Sequence, residues 1–182
     1  GTAGYAYRLE GIEIKLVEKG EVFSEYGKTP IFYSSTEGAT KPVADTSLVS
    51  YTTHVQSVGW QDYVQDGDMA GTSGRALRLE GIKIKLENKK YNGDIEYRTH
   101  IQSIGWEDEW KKNDEMSGTS GRALRLEAIE IKLTGEMAEH FDIYYRVHAQ
   151  HFGWLGWARN GESSGTAGYA YRLEGIEIKL VE

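Results

Sequence analysis

The chain has 182 residues, of which 39% are hydrophobic, with twenty-two glycines against two prolines; that composition excludes global disorder and fits a packed domain with many tight turns. A net charge of −7, with Lys and Glu interleaved along the chain, leaves no basic footprint for nucleic acid. Cysteine is absent, which removes disulfides and Cys-based zinc sites, and no apolar run reaches the roughly eighteen residues of a membrane-spanning helix.

In chain order, the first segment is already a repeat. Residues 1–18 (GTAGYAYRLEGIEIKLVE) are identical to residues 165–182. The chain opens on this fragment with no signal peptide, as a piece taken from a larger protein would. Residues 19–47 follow, holding both prolines with Gly, Ser and Thr; they read as a linker, inside which IFYSS (31–35) offers one short strand. From about Leu48 a unit then runs three times, over about 48–86, 94–133 and 142–182, with Tyr51, Tyr97 and Tyr145 in register.

Each unit alternates with period two. Tyr97, Thr99 and Ile101 take one side and Arg98, His100 and Gln102 the other, the pattern of a half-buried strand. A glycine turn, GTSG at Gly71–Gly74 in the first unit, is expected to separate the two halves. In the second half Leu77 and Leu79 alternate with Arg78 and Glu80, after which Ile82, Ile84 and Leu86 carry the apolar side. The slip of one residue at Gly81, matched by Ala128 in the second unit, predicts a β-bulge in one long bent strand. No helical stripe of useful length is present. Three equal β units predict an all-β, pseudo-threefold repeat domain that is β-prism-like; a β-trefoil, whose units are of similar length, is the alternative.

The segments HVQSVGW (54–60), HIQSIGW (100–106) and HAQHFGW (148–154), each followed by a GTxG turn and an RLExIxI strand, resemble the ChW repeats, clostridial hydrophobic repeats with a conserved tryptophan. The resemblance covers residues 51–180 and part of 1–16. It implies a secreted or cell-surface bacterial protein in which such units come in threes and serve adhesion or ligand binding, with no catalytic residues to carry over.

Trp60, Trp106 and Trp154 recur at one point of the unit, and the reading favours core or sheet-corner aromatics with their N–H satisfied internally. Tyr63 and Trp157 share a second position while Trp110 lies one step later. Aromatics that shift between copies are candidate sugar-stacking platforms, with Asp62 and Asp108 beside them to take hydroxyls; covering the neighbouring unit is the alternative role. His54, His100 and His148, paired with Gln56, Gln102 and Gln150, are candidate sugar ligands. A shared metal would need the three histidines to meet on the axis, and hydrogen bonding to nearby backbone is the preferred reading. Arg78/Glu80, Arg125/Glu127 and Arg172/Glu174, two apart on one strand face, are expected to form cross-strand ion pairs, of little individual worth when exposed.

Acids that recur in every unit do not make one glycosidase cleft, and no nucleophile set or phosphate loop is present. The expected function is therefore a non-catalytic module without cofactor or metal, binding a glycan or cell-surface polysaccharide through repeated weak sites, or else a structural and assembly module. Partners on nucleic acid or membrane are not expected. The second half of the unit occurs four times and the first half three times, so one terminal copy is spare. It is expected to pair with a neighbouring molecule by self-association, or to take the slot of its C-terminal twin.

Overall fold

The computed structural model describes residues 48–182; the partial repeat at 1–18, the linker at 19–47 and the strand expected at 31–35 lie outside them. Unit 1 contains β1 (Leu48–Val55), β2 (Gly59–Trp60), β3 (Val64–Gln65), β4 (Ala70–Gly71) and β5 (Leu79–Glu87). Unit 2 repeats these as β6 (Ile95–Ile101), β7 (Gly105–Trp106), β8 (Lys111–Lys112), β9 (Ser117–Gly118) and β10 (Leu126–Leu133). Unit 3 holds β11 (Asp142–Ala149), β12 (Gly153–Trp154), β13 (Ala158–Arg159), β14 (Ser164–Gly165) and β15 (Leu173–Val181).

In each unit the first and last strands form a long antiparallel hairpin, and the next two short strands fold back on the first. The remaining short strand leaves its unit. β4 pairs with β15 of unit 3, β9 with β5 of unit 1, and β14 with β10 of unit 2. Each sheet is therefore completed by a neighbour, and the three donations close a ring. GTSG is thus more than a turn between halves: its first glycine belongs to the donated edge strand.

The hairpins form three separate antiparallel sheets, whereas a trefoil barrel would run a single ladder through adjacent units. That makes the architecture prism-like. The inner faces supply one core, including Val49, Ile84, Ile131, Ile143 and Ile178, as the period-two pattern requires. Tyr51, Tyr97 and Tyr145 are fully buried in it. Each phenol donates to a carbonyl of its own unit (Asp68, Glu115, Glu162). Each also accepts a backbone N–H from the preceding unit: Tyr97 from Ile84 at 3.0 Å, Tyr145 from Ile131 at 3.1 Å, and Tyr51 from Ile178 at 3.0 Å. The last of these closes the ring between the chain's third unit and its first.

The bulge falls where the phase slip predicts. His54 pairs with Gly81 and Val55 with Leu79, so Glu80 is the extra residue; Glu127 and Glu174 hold the same place. The C-terminal copy of the repeated segment occupies the third slot as β15, against β11 and β4.

One element is not legible in the sequence. A short helix, α1 (Gly135–His140), links units 2 and 3 and buries Met137. It docks on the preceding connection, with Met137 N donating to Asn92 O at 3.0 Å and Tyr91 stacked on His140 at 3.7 Å. Six residues give too few turns for a 3.6-residue period to register.

Candidate functional site

The bulge re-aims its glutamate. Glu80, Glu127 and Glu174 are buried, with 4–6% of each exposed. Arg78 donates to Glu80 Oε1 through Nε at 2.9 Å and Nη2 at 2.7 Å, and His54 Nδ1 lies 3.1 Å from Oε2. Arg125, Glu127 and His100 (3.0 Å) repeat the arrangement, as do Arg172, Glu174 and His148 (3.3 Å). The expectation of cross-strand pairs is corrected: each arginine pairs with the glutamate two residues on in its own chain segment, and the carboxylate is desolvated, so losing the arginine leaves a costly buried charge. The histidines face this carboxylate and not backbone; their Nδ1 atoms sit at ion-pair distance without an aligned hydrogen bond.

The other side of each histidine meets the repeated tryptophan. His54–Trp60, His100–Trp106 and His148–Trp154 are edge contacts at 5.4, 5.4 and 5.5 Å between ring centroids. The tryptophans are not core residues, which corrects the reading made from their repetition. Trp60 is 38% exposed and the other two are half-buried on the outer sheet face.

Beyond the tryptophan the row continues through a cation to a second aromatic. In unit 2 the Arg98 guanidinium lies 5.4 Å from the Trp106 ring and 4.9 Å from the Trp110 ring, while its Nε donates to Glu130 at 2.8 Å. Lys132 sits 4.1 Å over Trp110. In unit 3 Arg146 lies 4.9 Å from Trp154 and 4.8 Å from Trp157 and is held by Glu177 at 2.7 Å, with Lys179 5.3 Å from Trp157. Unit 1 breaks the pattern. Thr52 stands in the arginine's place and Lys83 in the glutamate's, so Lys83 sits over Trp60 at 5.2 Å and Lys85 over Tyr63 at 4.5 Å.

The structure places Tyr63, Trp110 and Trp157 at one equivalent position. Each directly precedes the residue opposite the leading tyrosine, namely Val64, Lys111 or Ala158. The offset of Trp110 is one inserted residue in the loop after Trp106, not a change of site. Tyr63 and Trp157 are 40% and 41% exposed and Trp110 is half-buried. The Tyr63 hydroxyl donates to the Asp114 carboxylate of unit 2; burial first, and that carboxylate second, push its pKa upward.

The histidines join the aromatics in these rows. The glutamines sit past the strand ends, where Gln56, Gln102 and Gln150 donate backbone N–H to Arg78, Arg125 and Arg172. The Gln150 amide bonds His151 and Gln102 Oε1 accepts from Arg125 N, so these two side chains serve the turn. Asp62 and Asp108 are exposed, and Asp62 lines an open groove of about 420 Å3 with Trp60. Arg98 and Arg146 were missed as members of the site. Their signal is position: two residues before the histidine, they share its outward face. Among the described residues no group of three or more His, Asp or Glu side chains is arranged to hold a metal.

A family model described as Clostridial hydrophobic W matches residues 54–88, 100–135 and 148–182. The matches fall one in each unit and together cover more than half of the chain. No curated protein and no solved structure shows a significant match.

Proposed function

The chain belongs to the Clostridial hydrophobic W family, and on that premise we propose that it is a non-catalytic glycan-binding module of a secreted or cell-surface protein. The observation that carries this reading is the placement of Tyr63, Trp110 and Trp157 at one equivalent, solvent-facing position in three rows. Each ring is fixed against a cation, which holds it in place without closing it from solvent. A rigid aromatic flanked by charged donors and acceptors is the chemistry that stacks on a sugar ring and takes its hydroxyls. Each site is shallow and weak, near the millimolar range that corresponds to about 4 kcal/mol, and multiplicity supplies the working affinity.

A glycan array followed by titration calorimetry tests this. Trp110→Ala and Trp157→Ala each remove part of the binding, and the double variant most of it. Undiminished binding in the double variant overturns the assignment.

A self-association role is favoured by one further observation, the sequence identity of residues 1–18 with the segment 165–182 that fills the third slot. Light scattering over a concentration series tests it. The full chain forms dimers or larger species that vanish on deletion of residues 1–47; a full chain that stays monomeric removes this role.

A further inference from the structure

The three rows are not equivalent, and the difference lies in charge. In units 2 and 3 the cation between the aromatics is an arginine already neutralised by Glu130 or Glu177 on the same sheet face. In unit 1 that ion pair is replaced by Thr52 and Lys83. Lys83 has no carboxylate within ion-pair distance among the described residues, and only the face of Trp60 beneath it. A lysine is a compact charge on a flexible stem, whereas the arginines are planar and clamped on two rings and a carboxylate. At this position unit 1 therefore carries a lysine without a carboxylate partner among the described residues, where its sister units carry an arginine–glutamate pair.

A second observation adjoins this cation through Trp60. Trp60 lines the open groove of about 420 Å3 together with Val64, Met69 and Ala70, the last in β4 where it crosses to unit 3. Asp62 also lines it, where a carboxylate accepts hydroxyls, and Lys83 stands beside the groove at the Trp60 ring and not in its lining. Trp60 is the most exposed of the three repeated tryptophans.

We propose that the groove of unit 1 is a subsite for an acidic sugar, its ring against Trp60 and its negative group on Lys83, and that units 2 and 3 lack this preference. The proposal rests on the glycan-binding reading and adds the ligand's charge and the unit that reads it. The shared chemistry is an anionic group on a pyranose, whether carboxylate or sulfate.

The test uses the full chain and three probes of equal length: an oligouronate, its carboxyl-reduced neutral counterpart, and a sulfated oligosaccharide. The wild type binds at least one acidic probe about three- to fivefold more tightly than the neutral one, the range of an exposed ion pair, and the difference shrinks with salt. Which acidic probe gains identifies the anionic group. Lys83→Glu, the residue found at this position in units 2 and 3, abolishes the preference while neutral binding persists. Arg98→Thr with Glu130→Lys copies unit 1 into unit 2 and raises the number of acid-preferring sites from one to two. Circular dichroism and the melting temperature confirm that both variants fold. Equal binding of acidic and neutral probes, or a preference that survives Lys83→Glu, overturns the proposal and leaves glycan binding standing. Absence of binding to any probe overturns both.

Discussion

The seam between units and the row on the outer face obey different rules. At the seam the same residues recur three times: the buried tyrosine, the first glycine of GTxG, and the bulge glutamate with its arginine. On the outer row Arg98 and Arg146 correspond to Thr52, Glu130 and Glu177 to Lys83, and Tyr63 to two tryptophans. The seam tolerates only small changes, Ala128 for Gly81 and Gly175, or Ala70 for Ser117 and Ser164, because each unit is at once donor and acceptor and a change must fit a neighbour on both sides. The row lies on the outer face of its own sheet, with the Tyr63–Asp114 bond reaching a neighbouring unit, and it differs from unit to unit. The repeated His–Trp contacts lie on that outer face too, so repetition alone does not mark the core, while departure from repetition marks the surface where specificity can be written.

The largest test of that contrast is alkaline titration. Burial pushes the Tyr145 phenol up to about 12 and holds Tyr51 and Tyr97 above the ordinary tyrosine range too. In the unfolded chain these phenols ionise near pH 10. Their folded pKa values are raised, so their contribution is complete below about pH 10 and is lost as pH rises toward the folded values. All three act together because all three latch the ring. Denaturant midpoints measured from pH 8 to 11.5 should stay level and then fall steeply, with the phenolate signals of Tyr51, Tyr97 and Tyr145, assigned by their Tyr→Phe variants, appearing only as the domain unfolds. Early titration of these tyrosines in the folded protein would break the contrast.

A glycine pair sharpens it. Gly118 has φ +99°, and an added Cβ would lie 2.6 Å from the Glu80 carbonyl oxygen of unit 1. Gly105, at the end of the outer-face turn, has φ +94° and nothing within 4 Å of that position. Gly118→Ala therefore costs about 3 kcal/mol, backbone strain plus forced separation of β5 and β9. Gly105→Ala costs about 1 kcal/mol, the strain alone. Chemical denaturation of the two variants reads the difference; equal costs would mean the seam is no tighter than the surface.

The smallest effect is on the row itself. Arg98→Thr installs the residue that unit 1 carries, removing a part-exposed ion pair and two ring contacts, for less than about 1 kcal/mol. A loss above about 2 kcal/mol by thermal denaturation would show that the row stabilises the fold and is not a replaceable surface.

What was legible in the sequence divides along the same line. The in-register tyrosines, the period-two faces and the phase slip at Gly81 gave the strands, the bulge and the inner core, because the alternation of a long strand is a strong local signal. Ser117–Gly118 gave no such signal: two residues have no period, and their partner strand belongs to another unit. Trp60, Trp106 and Trp154 read as core or sheet-corner aromatics, because an apolar residue that repeats unchanged usually packs, and the core half of that reading fails. They are held instead by an edge contact to a histidine, which hydrophobicity does not report. Trp110 seemed to wander until pairing of Lys111 with Tyr97 absorbed the inserted residue. The clamp of Arg98 between two rings depends on three strands meeting, so it exists only once the sheet is formed.

The ring of donated strands also sets how the domain must be made. The bond from Ile178 N to the Tyr51 hydroxyl joins residues 127 apart in sequence, and β4 finds its partner only when β15 arrives. Until then the first two units have an unfinished ladder and exposed strand edges, the state from which β proteins aggregate. Folding is consequently closure-limited: fast within each hairpin, slow for the terminal pairing, since non-local contacts carry the entropy of the loop they close. During synthesis the ring stays open until a strand of this sequence fills the third slot, and a chain lacking both copies, residues 1–18 and 165–182, loses the fold as a whole, not one third of it.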